Sequence, residues 1–240
     1  MNEKNQNTEA YTKPKLFSSE WFDNFWYHYK WHTVVSVFLI VAILVCTLQM
    51  CQRVDYDTYI LYAGSKEIKR NGGEYATVVS SMKRVCDDYD KNSEISVMLK
   101  DLYMLSNEEI EKIEKDEPEK EVNYALLEEN NRLFLDLMVQ SDYYVCILSK
   151  SLYDSYETLY GVPLFVDLTE HANITADVEM YTNCAIFLNS TGFDSVQGID
   201  FPEDTVICLR ALSQTSNSKR AKTLFQRGKD VVENIANYGE

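Results

Sequence analysis

The chain has 240 residues, 45% of them apolar, and a formal charge of −15. So acidic a surface repels phosphate backbones, which excludes nucleic acid as a partner and disfavours flat docking on anionic lipid. Charges cancel over residues 1–50, so the whole excess falls on residues 51–240, enough chain for one domain with its own core.

Residues 1–16 are polar and aperiodic, which predicts disorder. Trp21, Phe22, Phe25, Trp26, Tyr27, Tyr29 and Trp31 follow, interleaved with His28, Lys30 and His32. Rings with polar edges favour the headgroup layer, so this segment reads as an interfacial belt or a short surface helix. Trp21, Trp26, Tyr29, Lys30 and Trp31 are its candidate membrane contacts. His28 and His32 lack a nearby carboxylate, so they are not read as a metal or heme site.

From Trp31 to Gln52, 22 residues, there is no Asp, Glu, Lys or Arg. As a helix that run is roughly 33 Å long, against a hydrocarbon core of about 30 Å. Only Ser36, Thr47 and Gln49 interrupt the apolar stretch Val34–Cys51. The run predicts a single membrane span, 31–52, between a polar head, 1–30, and a domain, 54–240. A long leader, and no small-x-small site after the run, favour an uncleaved anchor over a signal peptide. Flanking lysines and arginines do not settle orientation. A short polar head before one span favours the head in the cytoplasm and the domain outside the cell.

Beyond the span, short β-rich runs alternate with amphipathic stripes. Tyr59–Tyr62 predicts a strand ending at Ala63-Gly64-Ser65. Tyr75, Val78, Val79, Met82, Val85, Cys86 and Tyr89 lie on one helical face. Ile95–Leu99 predicts a strand with an extension to Leu105. Residues 107–121 carry seven Glu and one Asp; Ser106 and Glu109 fit a capping box opening an exposed helix. Tyr124, Leu127, Phe134, Leu137 and Met138 form the next stripe. Tyr143–Leu148, apolar throughout, fits a central strand covered on both faces. A short helix over Leu152–Tyr160 is expected, then strands at Leu164–Leu168, Cys184–Leu188 and Val206–Leu212. A last helix runs through Ala221, Leu224, Phe225, Gly228, Val231, Val232 and Ile235. The alternation predicts an α/β fold: one sandwich domain with a mostly parallel, mixed sheet.

Cys86, Cys146, Cys184 and Cys208 each lie in an apolar run and read as buried thiols, with a disulfide as the alternative if the domain is extracytoplasmic. No zinc spacing, P-loop or dinucleotide fingerprint occurs, and the acidic clusters lack EF-hand grammar. No metal or cofactor is therefore expected. His171 has no nucleophile motif beside it, so no catalytic residue is assigned and no enzyme is expected. Ligands of open α/β sheets sit beyond strand carboxyl ends. Gly64, Ser65, Ser149, Tyr153 and Asn189 are the candidate ligand contacts there, ordinary turns and caps being the competing reading.

Tyr29-Lys30-Trp31-His32-Thr33 before the span, with Asp55-Tyr56-Asp57 after it, resembles small single-pass membrane proteins of Gram-positive bacteria. Ser141-Asp142-Tyr143-Tyr144-Val145-Cys146-Ile147-Leu148-Ser149, then Leu152-Tyr153 and Leu164-Phe165-Val166-Asp167-Leu168, is similar to a segment of type 2 periplasmic solute-binding proteins, with Ser141 where that pattern has glycine. The resemblance implies a periplasmic-binding-like lobe, one rather than two. The expected function is a membrane-anchored, non-enzymatic binding or interaction module with a small-molecule ligand or a protein partner. The alternative is an accessory or scaffold subunit of a membrane transport or envelope complex.

Overall fold

The computed structural model describes residues 18–51, 55–70, 72–116, 119, 121–139, 142–159, 161–196, 198, 201–213 and 218–239. The leader 1–16 and Ser141 lie outside the described residues. The chain divides into two compact units, Met1–Asp55 and Tyr56–Glu240.

The first unit is helix α1, Ser19–Cys51, 33 residues. Its stretch Trp21–Leu48 is long and apolar enough to cross a membrane. The aromatic segment is not a separate surface helix but the first turns of this same helix. Trp21, Phe25 and Tyr29, spaced by four, stack along one face with ring centroids 5.5 and 5.4 Å apart. Trp26, Tyr29 and Trp31 are exposed, as are the aliphatic side chains that follow. Thr33 and Thr47 donate their hydroxyls to the carbonyls of Tyr29 and Ile43, four residues back, so an apolar helix carries both without a free donor.

The second unit is α/β. In chain order it comprises β1 (Thr58–Gly64), α2 (Gly73–Met82), β2 (Val97–Tyr103), α3 (Asn107–Asp116), α4 (Tyr124–Val139), β3 (Val145–Ser149) and α5 (Lys150–Tyr156). A hairpin, β4 (Thr158–Leu159) and β5 (Val162–Pro163), turns at Gly161, whose φ of +77° suits glycine. Then come α6 (Leu168–His171), β6 (Met180–Thr182), β7 (Ala185–Phe187), β8 (Thr205–Leu209) and α7 (Lys219–Ala236).

Six strands form one sheet in the order β2-β1-β3-β8-β7-β6. β1 pairs in parallel with β2 and β3, the strands it reaches through helical connections. β3–β8, β8–β7 and β7–β6 are antiparallel. The sheet is mixed, as expected, but it is not mostly parallel: antiparallel pairs are the majority. Hydrophobic runs mark a buried strand but not its direction. Here the turn Asn183-Cys184 joins β6 to β7, and 3-10 turns lead on towards β8, leaving no long helix to reverse the chain.

Alternation along the central strands divides the core. Ile60, Tyr62, Val145, Ile147, Ile207 and Leu209 meet α2 and α7 on one face. Leu61, Ala63, Cys146, Leu148, Val206 and Cys208 meet α4 and α5 on the other. Gly228 lets α7 lie against β3; a Cβ there would meet the Cβ of Tyr144 at 3.0 Å. On the outermost strand β2, Tyr75 Oη donates to the Leu99 carbonyl (3.1 Å) and Asn130 Nδ2 to the Tyr103 carbonyl (2.8 Å), which shields the edge from pairing with another chain.

Three expected elements differ. The stripe 75–89 is helical only to Met82; beyond it the chain is drawn towards the start of β1 by Asp57. Leu164–Leu168 is not a strand. Phe165 makes one isolated bridge to Arg210, and Asp167 accepts a hydrogen bond from the Thr169 amide, capping α6. The helix expected over Leu152–Tyr160 is α5, which starts earlier and ends at Tyr156.

Candidate functional site

Cross-strand register aligns the strand ends. Gly64 lies opposite Tyr103, Ala63 opposite Leu148, Ser149 opposite Thr205, and Phe187 opposite Val206. The carboxyl ends of β1, β2, β3 and β7 therefore share one edge, which carries Gly64, Ser65, Ser149 and Asn189. Gly64 and Ser149 are buried, Ser65 is half-buried and Asn189 is exposed. Tyr153 is not at the rim. Its buried ring stacks on Phe165, and its hydroxyl lies 2.7 Å from Thr182 Oγ1.

Three backbone amides just beyond β1 and β3 already have partners. Lys66 N donates to Tyr62 Oη (3.2 Å), Ile68 N to Asp101 Oδ2 (3.3 Å), and Lys150 N to the Asp204 carbonyl (2.9 Å). An anion held by those amides would have to displace bonds the protein makes to itself.

Next to this edge, where β2 runs into α3, lies a cleft of about 530 Å³ between α3, α4 and α5. That is in the range of small-molecule sites, roughly 300–1,000 Å³. Met104, Leu105, Ile110, Leu127 and Leu152 give it an apolar wall. Ser106, Asn107, Asn131, Ser151 and Ser155 give it neutral hydrogen-bonding groups, and Glu128 its one charge. Among the described lining residues there is no His, Cys, Lys or Arg. Such a lining can hold and orient a ligand, but it brings no base to a nucleophile.

Helix α3 walls the cleft without entering the core; none of its residues is buried. Its start is fixed by the expected capping box, with Glu109 N donating to Ser106 Oγ (3.2 Å) and Ser106 N to Glu109 Oε2 (2.7 Å). A second hollow, about 270 Å³, lies against α3 between Ser65, Tyr103, Glu109 and Asp116. Near this end of the sheet, Asp101 keeps one buried carboxylate oxygen without a hydrogen-bond partner. Burial pushes its carboxyl up to about 6. Thr205 Oγ1 is likewise buried and unpartnered.

At the opposite, amino edge Thr58 Oγ1 is also buried without a hydrogen-bond partner, but the charged groups are bonded to the protein. Asp57 is 1% exposed and accepts from Ser96 N, Ser96 Oγ, Tyr89 N and Asp90 N at 2.9–3.3 Å. Burial opposes its ionisation, but these bonds outweigh burial and hold the carboxyl below its ordinary value. Arg227 donates to the Asp57 carbonyl and lies over the Tyr89 ring. Arg210, 1% exposed, donates Nε to the Tyr143 carbonyl (2.8 Å) and Nη1 to the Met138 carbonyl (2.9 Å) in the last turn of α4, and covers the Tyr144 ring.

Asp57, Asp88 and Asp90 bring carboxylate oxygens within 4.8 Å of one another, a set that suits a hard divalent cation. Asp88 also accepts from the amides of Asn92 and Ser93. Sequence reasoning missed this cluster. Asp88, Asp90 and Asn92 keep the alternate spacing of a calcium loop, but Ser93 stands where glycine is usual and adopts φ +71°. Asp57 joins from the position just before β1, 31 residues upstream. The cleft was missed for a similar reason: its walls come from three helices. Only the Ser106–Glu109 cap signalled any part of it.

The described cysteines Cys46, Cys86, Cys146, Cys184 and Cys208 are free thiols. Cys146 and Cys208 face each other across β3 and β8, both fully buried, while Cys86 lies on the other face of the sheet, its thiol pushed up to about 12 by burial.

No family model, curated protein or solved structure matches the chain.

Proposed function

We propose that the chain is a membrane-anchored, non-enzymatic binding module. Helix α1 holds it in a bilayer, with the polar head in the cytoplasm and the α/β unit outside the cell. The cleft beside the carboxyl edge receives a small ligand. The observation that carries this reading is the cleft itself: a site-sized hollow at the position where α/β sheets bind ligands, walled by apolar side chains and rimmed by neutral polar ones. The strand order β2-β1-β3 and the helix directly after β3 support likeness to one solute-binding lobe.

A fluorine-labelled fragment screen by NMR on the full chain in lipid nanodiscs tests the reading. Hits should be lost in Leu127→Trp, which fills the cleft. Hits that survive this substitution would place binding elsewhere. For orientation, protease added to whole cells should cut at Arg84 or Lys115; cutting only in broken cells would put the unit inside.

A second reading, an accessory subunit of a membrane complex, draws on the stacked stripe Trp21-Phe25-Tyr29 of α1. Under that reading, a membrane partner co-purifies with the wild type and is lost when Phe25 and Tyr29 are both replaced by Ala.

A further inference from the structure

The charge around the cleft narrows what it can take. Among the described lining residues Glu128 contributes the only charge. Tyr124, also in the lining, donates its hydroxyl to Glu114 on α3. Helix α3 itself carries Glu108, Glu109, Glu111, Glu114 and Asp116 against Lys112 and Lys115. With no cation among the described lining residues, an anionic ligand would meet repulsion from this acidic wall. An ammonium group would be drawn in by α3 and meet Glu128, which has no partner among the described residues. Asn131 accepts the Tyr156 hydroxyl on Oδ1, which leaves its Nδ2 hydrogens for a ligand oxygen. Ser151 and Ser155 add hydroxyls on the same wall, while Leu127 and Leu152 offer a surface for C–H groups.

Resting on the binding reading above, we propose that the cleft recognises a hydroxylated ammonium compound, of which an amino sugar is the simplest representative. The ammonium pairs with Glu128, the hydroxyls with Asn131, Ser151 and Ser155, and the carbon skeleton lies on the leucines. At about 530 Å³ the cleft has room for more than one sugar ring.

Three probes of nearly one shape test this: glucosamine, glucose and glucuronate, titrated by ligand-observed NMR into the full chain in lipid nanodiscs. Glucosamine should bind at least about tenfold more tightly than glucose, as expected for one charge-assisted hydrogen bond, and glucuronate should be weakest. In Glu128→Gln, an exposed helix position, the preference for glucosamine over glucose should vanish. Leu127→Trp should abolish both. Equal binding of glucose and glucosamine in the wild type, or tighter binding of glucuronate, overturns the ammonium assignment and leaves the cleft as a ligand site. Failure of all three sugars to bind overturns the assignment as well, and the fragment screen then decides separately whether the cleft binds anything.

Discussion

The two ends of the parallel strands differ in how their charged groups are held, although each end keeps a buried, unpartnered threonine hydroxyl, Thr58 at one and Thr205 at the other. At the amino edge, Asp57 and Arg210 are buried and bonded to the protein on several sides. Towards the carboxyl edge, Asp101 and Thr205 keep buried oxygens without partners, and the neighbouring cleft carries neutral donors and acceptors facing open space. Buried bonding capacity left unused costs stability, and the proposed binding function gives that cost a purpose at the carboxyl edge. Deleting polar groups should therefore weaken the fold at the amino edge and leave it unharmed, or strengthen it, at the other.

Arg210→Ala should show the largest effect. It strands the carbonyls of Met138 and Tyr143 and removes the lid over Tyr144, so the domain should lose about 3 kcal/mol in urea denaturation. A loss below about 1 kcal/mol would mean the amino edge is not locked as described. Asp57→Ala comes next, at about 2 kcal/mol, because four donors lose their acceptor and the 86–96 loop is released. The sign with pH follows from the lowered carboxyl. The contribution of Asp57 is complete above the unfolded value of about 3.9 and is lost as acid titrates the folded carboxyl below it. In Asp57→Asn, that part of the acid-side loss should disappear.

At the other edge, Asp101→Asn should stabilise by about 1 kcal/mol at pH 7.5, a figure that allows for partial solvent screening. With a folded value of about 6 against about 3.9 unfolded, ionised Asp101 lowers stability above pH 6, and that penalty fades as pH falls towards 4. Thermal melts from pH 4 to 8 should be flatter in the variant by this amount; destabilisation at pH 7.5 would contradict the contrast. Leu127→Trp should change stability least, within about 0.5 kcal/mol as expected for a half-exposed position, while removing ligand binding.

The same contrast marks how much could be read from the sequence. Elements with their own periodicity were legible: the apolar run of α1, the stripes of α4 and α7, and the solidly apolar β3. What depended on distant partners was not. The helix stops at Met82 because the following loop is bonded to Asp57, and the predicted strand at Leu164–Leu168 is broken by the Asp167 cap. Strand direction in β8, β7 and β6 follows from connection lengths that apolar runs do not record. Gly64, Ser65, Ser149 and Asn189 reach the carboxyl edge because strands end there. The cleft side chains lie on helices whose stripes announce a core-facing side and give no hint of a hollow.

Hydrogen exchange on the full chain in lipid nanodiscs, with and without a ligand from the fragment screen, tests the central claim most directly. Protection is predicted within residues 104–110, 124–131 and 151–156, the three walls of the cleft, and nowhere else in the α/β unit. Protection at 86–96 or along 219–230, with the cleft segments unchanged, would show that the amino edge is the binding edge and contradict the account.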